Sequence, residues 1–137
     1  MENYSCFEQQ EFSIGEYKLV PIRFEDRYDI MRWRNEQLYH LRQKEPLTIK
    51  QQDDYFENVV SELFYQKEPM QILFSFLKNA VLIGYGGLVH INWIDKNAEV
   101  SFLTSDDNDL ELWNPFLNLL KNVAFQELNL VKIFTYA

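Results

Sequence analysis

Few histidine or cysteine residues are available in this sequence as nucleophiles or metal ligands. The two histidines, His40 and His90, and the only cysteine, Cys6, are far apart in the sequence, so they do not have the spacing of a metal-ligand set. A lone cysteine near a terminus, with no histidine beside it in a motif, is more typical of a bystander than of a nucleophile. The sequence also lacks a Ser/His/Asp order and a Walker-type loop. It therefore indicates neither a metal site nor a nucleophilic triad.

Two arginines, Arg32 and Arg34, flank Trp33 on a predicted helix and are candidate substrate contacts. Arginine can bind a phosphate through two parallel hydrogen bonds, so an acceptor such as a nucleotide sugar is conceivable. The alternative is that both arginines are exposed and pair with Asp29 or Glu36. The sequence leaves both interpretations open.

The N-terminal half of the chain predicts one extended segment and two helices. Residues 1–12 have no clear period, and we expect them to form a loose arm. An extended segment follows at 17–22, and apolar spacing indicates a short helix at about 25–34. A second helix should begin at Thr48, because Thr48 and Gln51 form a capping box ahead of apolar residues spaced three and four apart.

The C-terminal half predicts a strand meander, a helix and a final strand. Stretches rich in β-branched and aromatic residues alternate with turn-forming residues, and they span 70–77, 80–93 and 98–103. Gly84, Gly86 and Gly87 inside the middle strand suggest a β-bulge or a close backbone approach. A helix should start near Pro115, and residues 131–136 form the last predicted strand.

Composition limits the class of protein. The 137 residues, 47 % of them hydrophobic, suit one domain with a substantial core. No apolar run is long enough for a membrane span, and residues 1–12 lack the basic residues of a signal peptide. The net charge of −8 and the lack of a basic patch argue against nucleic-acid binding. An acidic surface could attract a cationic amine, or could simply provide solubility. We expect a cytoplasmic protein.

The order of elements and several local stretches resemble the Gcn5-related N-acetyltransferase (GNAT) family. The stretches are similar to the branch that acetylates amino sugars and protein N-termini. They are Met-Arg-Trp-Arg-Asn at 31–35, Leu-Ile-Gly-Tyr-Gly-Gly-Leu at 82–88, Ala-Glu-Val-Ser-Phe-Leu at 98–103, and residues 124–130 followed by 132–135. The resemblance covers nearly all of 15–137. It implies one domain over 1–137 with an α+β fold, in which a mixed, mostly antiparallel sheet of about five strands has helices on both faces.

The resemblance also implies a reaction, in which a primary amine of an amino sugar or a protein attacks acetyl-CoA directly. It places a general base at Glu99, where a carboxylate could accept the amine's proton through a water; the alternative is an outward-facing strand residue. His90 could face the acceptor groove as a base or orienting group, or could be structural. His40 lies in the loop between helices, where acceptor sites of the family are built.

The family binds acetyl-CoA across a splay between the fourth and fifth strands. The pantetheine arm pairs with the fourth strand like an added strand, and the pyrophosphate binds backbone N–H groups before the third helix. The resemblance therefore places Phe102, Leu103 and Thr104 at the pantetheine, and Asp107, Leu112 and Trp113 at the phosphates.

The sequence departs from the family pattern in two places. The phosphate loop has no glycine and no basic residue but contains Asp106, Asp107 and Asp109. The carboxylates of these residues repel a pyrophosphate. The alternative is that the three aspartates form a solvated cluster that caps the following helix. The family fold also continues with two more strands and a helix, so we expect a C-terminally incomplete fold. Its last strand edge would then bind a second copy or a partner chain. The alternative function is a catalytically inactive interaction module, or a truncated fragment.

Overall fold

A six-stranded sheet forms the centre of the protein in a computed structural model that describes residues 2–37, 44–105 and 110–135. The strands are β1 (Phe12–Ile14), β2 (Tyr17–Pro21), β3 (Ile72–Lys78), β4 (Val81–Asn92), β5 (Asn97–Thr104) and β6 (Lys132–Phe134). They lie side by side in chain order. Every neighbouring pair is antiparallel except β5 and β6, which are parallel. A parallel pair needs a crossover, and the last helix supplies it.

The helices of the described chain are α1 (Arg27–Glu36), α2 (Ile49–Tyr55), α3 (Ser61–Leu63) and α4 (Trp113–Lys121), with π-helical turns at Phe56–Val60 and Asn122–Glu127 and 3-10 turns at Phe24–Asp26 and Leu110–Leu112. The predicted capping box is confirmed, because the Thr48 hydroxyl accepts from the Gln51 N–H and the Gln51 side chain accepts from the Thr48 N–H. The last helix begins two residues before the predicted start at Pro115. None of the helices in the described residues is long and apolar enough to cross a membrane.

Helices cover both faces of the sheet. On one face, Phe76 packs edge-to-face against Phe116 of α4, with ring centroids 5.4 Å apart. On the other, Leu73 and Tyr85 line a cavity bounded by α1 and α2. The predicted mixed sheet with helices on both faces is therefore confirmed. The sheet has six strands rather than about five because a hairpin turn at Gly15, with φ +57°, adds the three-residue strand β1.

Aromatic residues anchor the segment 2–12 to the core, so the prediction of a loose arm is wrong. Tyr4 and Phe7 are buried, and Tyr4 is only 2 % exposed. The Tyr4 hydroxyl donates to the Leu73 carbonyl at 2.6 Å and accepts from the Leu73 N–H at 2.8 Å. The rings of Tyr4 and Phe7 also pack against Phe74. These aromatic residues follow neither a helix nor a strand period, so the sequence pattern did not indicate their burial.

The glycines of β4 allow the neighbouring backbones to approach closely, as predicted. A Cβ added at Gly86 would lie 2.1 Å from the Ser101 carbonyl oxygen. At Gly87, where φ is +153°, it would lie 2.0 Å from the Ile72 carbonyl oxygen. Register shifts lie on either side of these glycines, one against β3 and one against β5.

Candidate active site

Glu99 lies on the face of the sheet that borders the α1–α2 cavity. Three cross-strand pairs join β4 and β5 on this face: Val89 with Glu99, Gly87 with Ser101 and Tyr85 with Leu103. Directly opposed residues of an antiparallel pair share a face. Val89, Ser101 and Tyr85 line the cavity, so Glu99 lies at the end of the same row. Its side chain is 13 % exposed, which keeps the carboxylate accessible.

A β-bulge brings His90 beside Glu99. Pairing of β4 with β5 passes from Val89–Glu99 to Asn92–Asn97, so two residues of β4 oppose one of β5. His90 has φ +49°, a left-handed conformation that only a few per cent of non-glycine residues adopt. Its Nδ1 atom lies 3.4 Å from Glu99 Oε1. A bulge can turn a side chain toward a neighbouring strand, and this one joins the two predicted catalytic residues.

The cavity beside this pair has a volume of about 420 Å³ and lies between α1, α2 and the sheet. Arg34 reaches it from α1, and its Nη1 atom donates to the Tyr85 hydroxyl at 2.6 Å. Burial raises the pKa of Tyr85, although the charge of Arg34 partly opposes this shift. Tyr85 is therefore a neutral hydroxyl at neutral pH. Across the cavity, the Gln71 amide donates to the Tyr55 hydroxyl at 2.7 Å.

Of the other predicted substrate contacts, Arg32 is not part of this arrangement. Arg32 is exposed and pairs with Asp29 at 3.1 Å and Glu36 at 3.9 Å, which matches the alternative interpretation of this residue. His40 lies outside the described residues. Of the two arginines that flank Trp33, the structure thus brings only Arg34 to the cavity.

Cys6 has the character of an unreactive thiol. Burial raises its pKa to about 11, whereas the thiolate is the nucleophilic form. In the described parts of the chain, no cluster of three or more His, Cys, Asp or Glu side chains could hold a metal ion.

The edge of β5 is where an added strand could pair. The parallel pairing with β6 runs from Asn97–Lys132 to Glu99–Phe134 and ends there, whereas β5 continues to Thr104. The two strands therefore share only the first three residues of β5. Glu99 pairs with Phe134, the last residue of β6, so it lies where the pairing of the two strands ends.

The predicted pantetheine residues differ in what their side chains contact. Phe102 stacks on Phe116 of α4, with ring centroids 4.0 Å apart. Trp113 also packs against the ring of Phe102. Leu103 is buried on the cavity face of the sheet. The side chain of Phe102 thus fixes β5 on α4. Any contact of this segment with an added strand falls to its backbone.

Gln37 was missed by the sequence analysis. It is 6 % exposed, and its Nε2 atom donates to the Thr104 carbonyl oxygen at 2.9 Å. This bond connects the end of α1 to the end of β5, so it holds the acceptor side of the fold against the predicted cofactor strand. A polar residue at the end of a helix usually faces solvent, and no sequence signal pointed to its burial.

The start of α4 lies beside the end of β5. Leu112 is buried and Trp113 is partly buried against the core cluster. Their predicted role as phosphate contacts stays a prediction. Asp107 and its neighbours at 106–109 lie outside the described residues.

The sequence matches the profile of the acetyltransferase (GNAT) domain over residues 19–136, and the chain belongs to this family. A search of curated proteins found no match.

Solved structures with the same fold include spermidine N-acetyltransferase from Vibrio cholerae. Its complex with CoA and spermine superposes with a TM-score of 0.73 at 18 % identity, over 88 % of this chain and 70 % of that one. A dodecameric structure of that enzyme in an intermediate state gives a TM-score of 0.71 at 18 % identity, over 88 % of this chain and 68 % of that one. At this identity the likeness concerns the fold.

Proposed function

We propose that this protein transfers an acetyl group from acetyl-CoA to a primary amine, with Glu99 as general base. The observation that carries the proposal is the position of Glu99. It lies where the pairing of β5 with β6 ends, on the cavity face of the sheet, with His90 beside it. A carboxylate next to both a strand edge and a cavity can take a proton from an amine in that cavity.

The chain's own residues prepare the amine for attack. Glu99 accepts the ammonium proton, directly or through a water, and the imidazole of His90 at 3.4 Å orients the carboxylate. The neutral hydroxyl of Tyr85 and the guanidinium of Arg34 position the acceptor. Acetyl-CoA supplies the acetyl group: the amine nitrogen bonds to the carbonyl carbon, the C–S bond breaks, and CoA leaves as the thiol after taking up a proton.

The pantetheine arm would bind the edge of β5 beyond Glu99. Backbone pairing at a strand edge gives affinity without requiring particular side chains. We assign this role to the backbone of Phe102, Leu103 and Thr104, while the side chain of Phe102 stabilises the strand through Phe116. The phosphates would lie near Leu112 and Trp113, at the start of α4. Asp107 remains a predicted phosphate-loop residue.

Self-association through β6 is a second part of the proposal. Val131, just before β6, is 72 % exposed, and Ile133 and Phe134 are partly buried. Exposed apolar residues beside a strand edge favour pairing with another chain. A spermidine N-acetyltransferase of this fold forms dodecamers. Light scattering should show a species larger than a monomer at micromolar concentration; a monomer that does not bind a hydrophobic dye would contradict this part.

The test of the proposed activity is an acetyl-transfer assay with acetyl-CoA and a panel of primary amines, including amino sugars and peptides with free N-termini. Mass spectrometry would detect the acetylated amine, and thiol release would give its rate. The proposal predicts turnover that depends on Glu99. Acetyl-CoA binding without transfer to any amine would favour the non-catalytic interaction module instead.

A further inference from the structure

The hydroxyl of Tyr85 lies in the layer between the sheet and α1. Tyr85 lines the cavity, is 7 % exposed, and its hydroxyl oxygen lies 2.6 Å from Arg34 Nη1 of α1. Side chains of a strand stand roughly perpendicular to the sheet. The hydroxyl therefore lies at the level that the cavity occupies.

The direction of the hydrogen bond between Arg34 and Tyr85 follows from the chemistry of the two groups. A guanidinium has five N–H donors and no acceptor, so Arg34 donates and the Tyr85 oxygen accepts. Arg34 has a further contact, which does not change this direction. Burial raises the pKa of Tyr85, so the hydroxyl keeps its hydrogen at neutral pH. That hydrogen is available for a second hydrogen bond.

Residues 2–37, 44–105 and 110–135 provide no acceptor for the Tyr85 hydrogen. Buried hydroxyl groups normally have their hydrogen bonds satisfied, because an unpaired buried donor is unfavourable. An oxygen that enters the cavity can supply the missing acceptor. In the free protein this is the oxygen of a water, and in a complex it can be an oxygen of the substrate.

Ser101 continues the polar row from Tyr85 toward Glu99. Tyr85 pairs with Leu103, and Ser101 and Glu99 follow Leu103 at two-residue steps on the same face of β5. At about 3.3 Å per residue, the Cα atoms of Leu103 and Glu99 are roughly 13 Å apart. Ser101 lines the cavity, and its hydroxyl has no hydrogen-bond partner in the described parts of the chain. The cavity face thus presents two hydroxyl groups at increasing distance from the proposed base.

Resting on the proposed acetyl transfer, we infer that Tyr85 is a specificity-determining residue that donates a hydrogen bond to an oxygen of the acceptor, several bonds away from the reacting nitrogen. The acceptor is then an amine whose skeleton carries a carbonyl, ether or hydroxyl oxygen. An alkylamine has no such oxygen, and the protonated nitrogens of a polyamine can only donate. Both leave the Tyr85 hydrogen unpaired, and a site built for a hydrogen bond discriminates against a ligand that lacks it.

The experiment compares ω-methoxyalkylamines with n-alkylamines that have the same number of chain atoms. A methoxy oxygen accepts a hydrogen bond but cannot donate one, and both series carry a single charge. For the wild-type protein, kcat/KM should be at least about fivefold higher for the best methoxyalkylamine than for its matched alkylamine. Tyr85→Phe removes only the hydroxyl group. It should lower kcat/KM for that methoxyalkylamine by about 5- to 100-fold and for the alkylamine by much less.

Tyr17→Phe is the matched control. It also removes one phenolic hydroxyl, but Tyr17 lies on β2 and its ring stacks on Phe76, which packs against α4 on the other face of the sheet. This variant should keep the wild-type ratio between the two series. Thermal melting gives the folded fraction of each variant, and if Tyr85→Phe does not fold, the wild-type ratio decides.

The acceptor specificity and the proposed activity can fail separately. Equal kcat/KM for the two series in the wild-type protein, or an unchanged ratio in folded Tyr85→Phe, shows that the Tyr85 hydrogen binds only water. Either result overturns the inferred specificity and leaves the acetyltransferase proposal in place. No acetylation of any amine, in these series or in the broader panel, contradicts the proposed function and with it this inference.

Discussion

Replacing Gly86 by alanine tests how closely β4 and β5 must approach each other at the site. A Cβ at this position would meet three backbone atoms of β5: the Ser101 carbonyl oxygen at 2.1 Å, the Ser101 carbonyl carbon at 2.9 Å and the Phe102 Cα at 2.9 Å. Backbone atoms cannot rotate out of the way as a side chain can. β5 would have to move away from β4, and Phe102 would be pulled from its stacking contact with Phe116.

The expected cost follows from overpacking. Extra atoms in a well-packed core cost about 1–3 kcal/mol. A lower chain entropy of alanine in the unfolded state offsets roughly 0.4–1 kcal/mol of that. The net loss should be about 1–2 kcal/mol, which lowers the Tm of a domain of this size by roughly 3–10 °C. Because β5 carries Glu99, acetyl transfer should fall as well, even at temperatures where the variant is folded.

Thermal denaturation of Gly86→Ala and two other glycine variants separates steric overlap from backbone strain as the cause of lost stability. Gly15 has φ +57° but open space around its Cα, so Gly15→Ala carries backbone strain without overlap. Gly87 has φ +153° and an overlap at 2.0 Å, so Gly87→Ala should be the most destabilising of the three. If Gly86→Ala melts at the wild-type temperature with full activity, the close approach of β4 and β5 is not required, and the reasoning is refuted.

Three other predictions concern single residues. Glu99→Gln keeps the size of the side chain but removes the proton acceptor, so kcat should fall about 100-fold or more while acetyl-CoA affinity changes little; wild-type turnover would remove Glu99 from the mechanism. Gln37→Leu removes the hydrogen bond to Thr104 and should lower the free energy of unfolding, measured by urea titration, by about 1 kcal/mol. It should also raise the KM for acetyl-CoA. An unchanged KM would show that α1 does not position β5. With a pKa of about 11, roughly one Cys6 thiol in a thousand is ionised at pH 8, so alkylation should be far slower in the native than in the unfolded protein, and equal rates would contradict this.

Local sequence rules predicted much of the fold. Capping chemistry located the start of α2 at Thr48, because a capping box depends only on residues three apart. Strand composition and turn residues located the meander, and the glycine cluster predicted the close approach that Gly86 makes to β5. Opposed residues share a face, so once the β4–β5 register was known, Glu99 could be assigned to the cavity side.

Features that depend on long-range packing were not predictable in this way. Tyr4 enters the core through hydrogen bonds to a residue 69 positions away. His90 reaches Glu99 only because of a bulge at a left-handed residue that is neither Gly nor Asn. The partnership of Arg34 with Tyr85 joins residues 51 apart. The sequence of α1 contains two candidate substrate contacts, Arg32 and Arg34. Only the packing of α1 on the sheet shows that Arg34 is the one that reaches the cavity.

Isothermal titration of the 137-residue chain with acetyl-CoA tests the central claim most directly, since every proposed step depends on that ligand binding beside β5. Wild-type protein should give a saturable heat with one site per chain, and CoA should compete for the same site. Glu99→Gln should bind with similar affinity, because its role is in proton transfer. The absence of saturable binding by folded wild-type protein would contradict the claim that this GNAT domain acts as an acetyltransferase.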